Sequence, residues 1–271
     1  DRGKLPSLLD NELIQSGCNS SEKYAIVVHG WLESIDTDWV HVLIDNLQRF
    51  RGGCIIFMDY SNHSIAQDYF DLVRKFNPLT QVLLDKLNHL ETQGFNPDNL
   101  FMYGFSFGAQ LVINAGVQYG FNKIAEIDGI HTSGNKGTIK RNCHQDWMMG
   151  RCGRVQEAAG PAPRGSHGLC PHFYNSAFSH DFYATENIFG CVSRRIATNI
   201  PESFKMGYTE TRKNQVYGDL FSPTGECYPY NYFNGNGAIP EGRGLRKLAR
   251  RRQIHVRARF EQPKCSAANS K

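Results

Sequence analysis

No apolar run in this chain is long enough to cross a bilayer, and its opening residues, Asp1-Arg-Gly-Lys, are not followed by the apolar core of a secretory leader. The chain therefore reads as soluble, and as processed or truncated at this end. No internal repeat and no linker between domains is visible. None of the C-x2-4-C spacings of structural zinc sites occurs among Cys143, Cys152 and Cys170, so a metal centre is not expected there. Acidic residues are missing between Glu241 and Glu261, a stretch that holds Arg243, Arg246, Lys247, Arg250, Arg251, Arg252, Arg257 and Arg259. This tail carries +8, which leaves −4 on the rest of a chain whose net charge is +4.

Within the tail, Ile254, Val256, Ala258 and Phe260 alternate with His255, Arg257 and Arg259, the period of an edge strand with basic residues facing water. Residues 241–271 are read as a basic C-terminal edge strand or tail on a single domain spanning 1–271. Such a stripe suits a polyanion or an anionic membrane surface, and nucleic acid is not expected as a partner. At 271 residues the chain is long enough to bury a full-sized core without staples. It nevertheless has eight cysteines, Cys18, Cys54, Cys143, Cys152, Cys170, Cys191, Cys227 and Cys265, an even number that suits four disulfides in an oxidising compartment. Asn19-Ser-Ser21 and Asn62-His-Ser64 are glycosylation triplets. Cysteines and triplets together point to secretion.

From residue 24 to 130 strands alternate with helices, the order of a parallel sheet covered by helices. Tyr24-Ala-Ile-Val-Val28 and Gly53-Cys-Ile-Ile-Phe-Met58 are continuous apolar runs, as in strands buried on both faces. Helices are predicted at 39–49 and 79–93, with Gly94-Phe-Asn-Pro97 stopping the second. After about residue 133 the chain turns rich in Gly, Pro, Cys and polar residues, so the second half is expected to be loop-rich and disulfide-tied.

The most informative segment is Gly104-Phe-Ser-Phe-Gly108, which follows the strand-like Asn99-Leu-Phe-Met-Tyr103 and precedes the helix-like residues 109–117. Strand, G-x-S-x-G and helix in that order form a nucleophile elbow, in which flanking glycines permit a strained turn that exposes the serine hydroxyl. Ser106 is thus a candidate nucleophile. One oxyanion donor is expected from the N–H of Phe107, and a second from the loop after an early strand, where Gly30 lets the backbone approach and Trp31 N–H donates. The general base must follow the elbow, among His131, His144, His167, His172, His180 and His255. His167, on the Gly-rich loop Arg164-Gly-Ser-His-Gly-Leu-Cys-Pro171, is well placed, with His172 and His180 close behind by spacing.

These residues in this order resemble the animal pancreatic-lipase-like family, in particular its secreted insect members. Tyr24-Ala-Ile-Val-Val-His-Gly-Trp31 is similar to the family's oxyanion strand and loop, and Phe57-Met-Asp-Tyr60 to its V-D-W segment. Gly104-Phe-Ser-Phe-Gly-Ala-Gln110 resembles the G-H-S-L-G-A-H elbow, Ile130-His-Thr132 the I-H-T strand, His144-Gln-Asp-Trp147 the H-x-D-F stretch, and Ser166-His167 the histidine segment S-H-x-R-S. The resemblance covers roughly residues 20–195. It implies an α/β-hydrolase fold, a lipid ester substrate or lipid interface as partner, His167 as the base, no cofactor, and cleavage of phospholipid or neutral glyceride through an acyl-enzyme.

One departure bears on activity. The family places its acid in a D-P-A-G-P motif followed by a substantial loop, whereas here Lys123-Ile-Ala-Glu-Ile-Asp128 runs through Gly129 straight into Ile130-His-Thr132. Asp128 is the acid the sequence offers at that strand end, the alternative being a solvated or capping aspartate. Loss of the motif also supports a different expectation, a catalytically impaired lipase fold that binds or carries lipid. Cys143 to Cys152 encloses a compact loop whose Trp147, Met148 and Met149 are expected to meet an acyl chain or interface. The short segment from Gly153 to Gly165 implies a reduced lid and a bias toward phospholipid or small esters.

Overall fold

The computed structural model describes residues 17–231 apart from 66, 67, 121, 122, 125, 139, 142 and 163. The basic edge strand or tail at 241–271 lies outside the described residues. Strand β1 (Tyr24–Val28) is buried at every position and pairs in parallel with β2 (Cys54–Met58) on one side and β3 (Leu100–Gly104) on the other. Its continuous apolar run follows from having a core on each face. Tyr24, Ile26 and Val28 face one, Ala25 and Val27 the other.

The second of these cores is closed by α1 (Asp38–Phe50), whose Val40, Leu43 and Leu47 recur at helical spacing. A single turn, α2 (Ser61–Ser64), and a short helix, α3 (Tyr69–Arg74), lead into α4 (Phe76–Thr92). That helix presents Leu79, Leu83, Leu87 and Leu90 to the first core beside α5 (Phe107–Tyr119). It begins earlier than its periodicity predicts because Pro78 falls in its first turn, where a missing N–H costs nothing.

The second half builds another parallel sheet, β4 (Asp128–His131), β5 (Gln145–Met149) and β6 (Gly218–Ser222), with α6 (Cys170–Ser176) packed near it. Among the described residues the two three-stranded sheets, ordered β2-β1-β3 and β4-β5-β6, share no paired strand. Among the described residues from Lys123 to Thr132 there is one strand where the sequence suggests two, and Asp128 opens it as the first residue of β4. Neighbouring parallel strands need a crossover of a dozen residues or more, and a single glycine supplies none. Aromatic rings occupy the seam: Tyr103 packs on Tyr174 at 4.9 Å, and its buried hydroxyl has no hydrogen-bond partner among the described residues.

Disulfides join Cys18 to Cys54 and Cys152 to Cys191, closing loops of 36 and 39 residues, and Cys227 is also disulfide-bonded. In the chain-entropy account, loops of this length contribute about 4 kcal/mol each. The expectation of four bridges needs correction, because Cys143 and Cys170 are free. Cys143 lies against Gly129 beside Asp146, and Cys170 Sγ is directed 3.7 Å from the Ile130 carbonyl. Burial pushes both thiols up to about 12, which keeps them protonated.

Residues 143–152 also differ from expectation. They are no interfacial loop but largely strand β5, where Trp147, Met148 and Met149 are buried. Central strands with sheet partners on both sides bury apolar side chains on both faces, and these three serve the core.

Candidate active site

The elbow is built by close approach of backbones. Ser106 has φ 55° and ψ −118°, a conformation L residues rarely adopt, at the junction of β3 and α5. A Cβ on Gly104 would lie 2.7 Å from Ala109 Cα, and one on Gly108 would lie 2.6 Å from the Val28 carbonyl oxygen and closer still to that of His29. Both glycines are therefore required by space. Although Ser106 precedes the first helical residue, its side chain makes no cap hydrogen bond. The hydroxyl turns instead to His167, whose Nε2 is 2.8 Å from Oγ.

His167 opens a turn of 3-10 helix at His167–Leu169 that runs into α6, and its ring lies over the buried ring of Phe105 at 5.0 Å. Phe105 is in turn tied to β1 by its N–H, which donates to the Val28 carbonyl. One chain of contacts thus sets the height of both serine and histidine over the first sheet.

Phe107 is the first residue of α5, so its N–H belongs to the helix terminus, where donors have no intrahelical acceptor and the dipole favours negative charge. Opposite it runs the loop 29–33. Gly30 is pressed against the serine, since a Cβ there would lie 3.0 Å from Ser106 Cβ. Gly30 N–H donates to Glu33 Oε2 at 2.8 Å, and Trp39 Nε1–H donates to Glu33 Oε1 at 2.9 Å. Trp31 follows Gly30 in this loop, with its ring edge-on to Tyr69. Leu32 N–H donates to the Ser64 carbonyl, and Ser64 Oγ–H donates to that of Glu33. Beneath the loop the buried His29 stacks on Tyr60 at 4.1 Å and accepts its N–H at Nε2, which leaves Nδ1–H to donate to the Gly30 carbonyl.

Glu33 was not a candidate by sequence, since no motif marks it. Its carboxylate fixes the loop by holding a backbone N–H and an indole N–H at once. Glu33→Gln loses one of these two acceptors and is expected to slow acylation of Ser106 about tenfold or more. A serine-directed phosphonate should show this as a lower limiting rate of labelling at an unchanged saturation point. An unaltered rate would remove Glu33 from the site.

Burial, and secondarily the Lys136 charge, lower the His167 pKa to about 4. A base must be deprotonated to accept the serine proton. Labelling is therefore expected to rise with pH through about 4 and then run flat across neutrality, and Lys136→Gln should move the rise to higher pH. A limb near 6.5 in the pH–rate profile would contradict this geometry.

Asp128 is not brought to this pair. Its Oδ2 meets Lys213 Nζ, and beside it Glu126 is raised to about 8 by burial first and by the Asp128 charge second. Among the described residues, no carboxylate is hydrogen-bonded to His167. Other histidines are engaged elsewhere: His131 Nε2 lies 2.8 Å from the buried Asp146, and His144 Nδ1 accepts the Ile127 N–H. No helix occurs among the described residues between Cys152 and His167.

This arrangement suits attack by a serine hydroxyl on an acyl carbon, with proton transfer to a neutral imidazole. A family model described as Lipase matches residues 4–144. No curated protein matches the chain.

Proposed function

The chain belongs to the lipase family, whose fold is the α/β-hydrolase, and from that premise we propose that it hydrolyses lipid acyl esters through an acyl-enzyme on Ser106. The contact of 2.8 Å between His167 Nε2 and Ser106 Oγ, made at a strained elbow, carries this reading. Ser106 Oγ adds to the ester carbonyl while His167 Nε2 takes its proton. The N–H groups of Trp31 and Phe107 hold the oxyanion, and His167 passes the proton to the departing alcohol. Water, deprotonated by the same imidazole, then releases the acid. Asp128 takes no part in this sequence. Without an orienting acid the imidazolium loses its partner, and the reference scale for that loss is about 10^4 in turnover.

Phospholipids and small esters are the favoured substrates, since the segment before His167 is too short and too irregular to make a long helical lid. Secretion is supported by the disulfides and by the exposure of Asn19 and Asn62 in their glycosylation triplets. The absence of a carboxylate at His167 favours a second reading, a lipid-binding or carrier protein without turnover. A fluorophosphonate probe separates them. Labelling of the wild type that disappears in Ser106→Ala supports the hydrolase, and no labelling of a folded wild type supports the carrier.

A further inference from the structure

Beside the serine and histidine lies a cavity of about 440 Å³ whose lining includes Lys136, Arg154, Arg164, Ser133 and Ser166, with no carboxylate among its lining residues. Its walls are tied together. Gly134 N–H donates to the Arg154 carbonyl, and Gln156 N–H donates to Ser166 Oγ at 3.1 Å. Gln156 is itself buried and donates its side-chain N–H groups to the Thr132 and Met149 carbonyls, so the loop bearing Arg154 is fixed to the end of β4. The cavity adjoins the reacting pair through His167. Ser166 precedes His167, and a Cβ on Gly137, next to Lys136, would lie 3.6 Å from His167 Cε1. The Arg164 charge reaches Glu33, which holds the Gly30 loop.

We propose that this cavity is a phosphate subsite, filled by the headgroup phosphate of a glycerophospholipid whose scissile ester lies at Ser106. The inference rests on the hydrolase reading above and names its substrate class. Guanidinium groups match phosphate oxygens in a two-pronged geometry, and Arg154, Arg164 and Lys136 place three cations on one wall with no acid to oppose them. The short glycerol backbone links phosphate to ester, as the neighbouring positions of cavity and serine require. A free phosphate ion has the same chemistry but gains nothing from that proximity.

Binding, not turnover, tests this, so that its failure is separate from failure of the hydrolase reading. Ser106→Ala protein is titrated calorimetrically with dihexanoyl phosphatidic acid below its micellar concentration, with dihexanoylglycerol, and with inorganic phosphate. Arg154→Gln and Lys136→Gln are then added singly, each at an exposed position, with Arg154→Lys as the variant that keeps the charge. Neutralising either cation is expected to weaken phosphatidic acid binding about tenfold or more and to erase its preference over dihexanoylglycerol, with Arg154→Lys intermediate. Unchanged affinity in both neutral variants overturns the subsite. Inorganic phosphate binding as tightly as phosphatidic acid, with the same sensitivity to the substitutions, overturns the lipid as its source.

Discussion

Gly108→Ala is expected to destabilise the protein by about 3 kcal/mol or more and to abolish labelling of Ser106, whereas Gly116→Ala in the same helix should stabilise it slightly. At position 108 an added methyl meets only backbone, the carbonyls of Val28 and His29, which belong to β1 and its following turn and cannot rotate away. Relief requires α5 to lift from the sheet, and that movement carries Ser106 and the Phe107 N–H with it. At position 116 the methyl meets Met102 Cε at 3.5 Å and Ile124 Cγ1 at 3.8 Å, ordinary contacts with side chains. There the gain is the usual helix preference of alanine over glycine, about 0.5–1 kcal/mol. Urea midpoints of the two variants against wild type provide the measurement. A Gly108→Ala protein with a wild-type midpoint would mean that strand and helix are not interlocked as described.

The same contacts indicate which parts of the molecule were legible in sequence. β1 was readable because burial on both faces demands an unbroken apolar run, and α1 and α4 because one buried face demands helical spacing. The strand, turn and helix around Ser106 were readable because glycine is the one residue that fits at 104 and 108. Where a neighbour far along the chain decides the outcome, spacing was mute. It left several histidines open as the partner of Ser106, and the structure brings His167 there through the packing of Phe105. Nor did it show that Trp147 and its neighbours enter a sheet, since their strand partners lie at 128–131 and 218–222. Glu33, Lys136 and Arg164 carry no motif at all. They matter through what surrounds them, a loop N–H, an imidazole and a cavity wall, and only the folded chain assembles these.

Installing a carboxylate beside His167 should raise activity, and Gly137 is the place to do it. A Cβ at this position would lie 3.6 Å from His167 Cε1, between the two ring nitrogens, and Nε2 is already committed to Ser106. The backbone there has φ +75°, a conformation that aspartate and asparagine tolerate better than other side chains. Gly137→Asp would supply the charge that stabilises the imidazolium and offset the like charge of Lys136. In the best-studied serine enzyme of this kind, removing the acid alone costs about 3 × 10^4 and removing serine or histidine about 2 × 10^6. The complete effect of an acid is therefore a ceiling of about 10^4, and a carboxylate on a strained loop should recover about tenfold or more of it. Gly137→Asn, with the same shape and no charge, should not. By the same ratio, removing His167 from a pair that already works without an acid should cost only about 10^2. Asp128→Asn should leave labelling within about twofold of wild type, because the carboxylate it removes serves Lys213 and Glu126. Labelling rates for the four variants, Gly137→Asp, Gly137→Asn, His167→Ala and Asp128→Asn, decide the matter together. A large loss in Asp128→Asn with no gain in Gly137→Asp would return the role of the acid to Asp128.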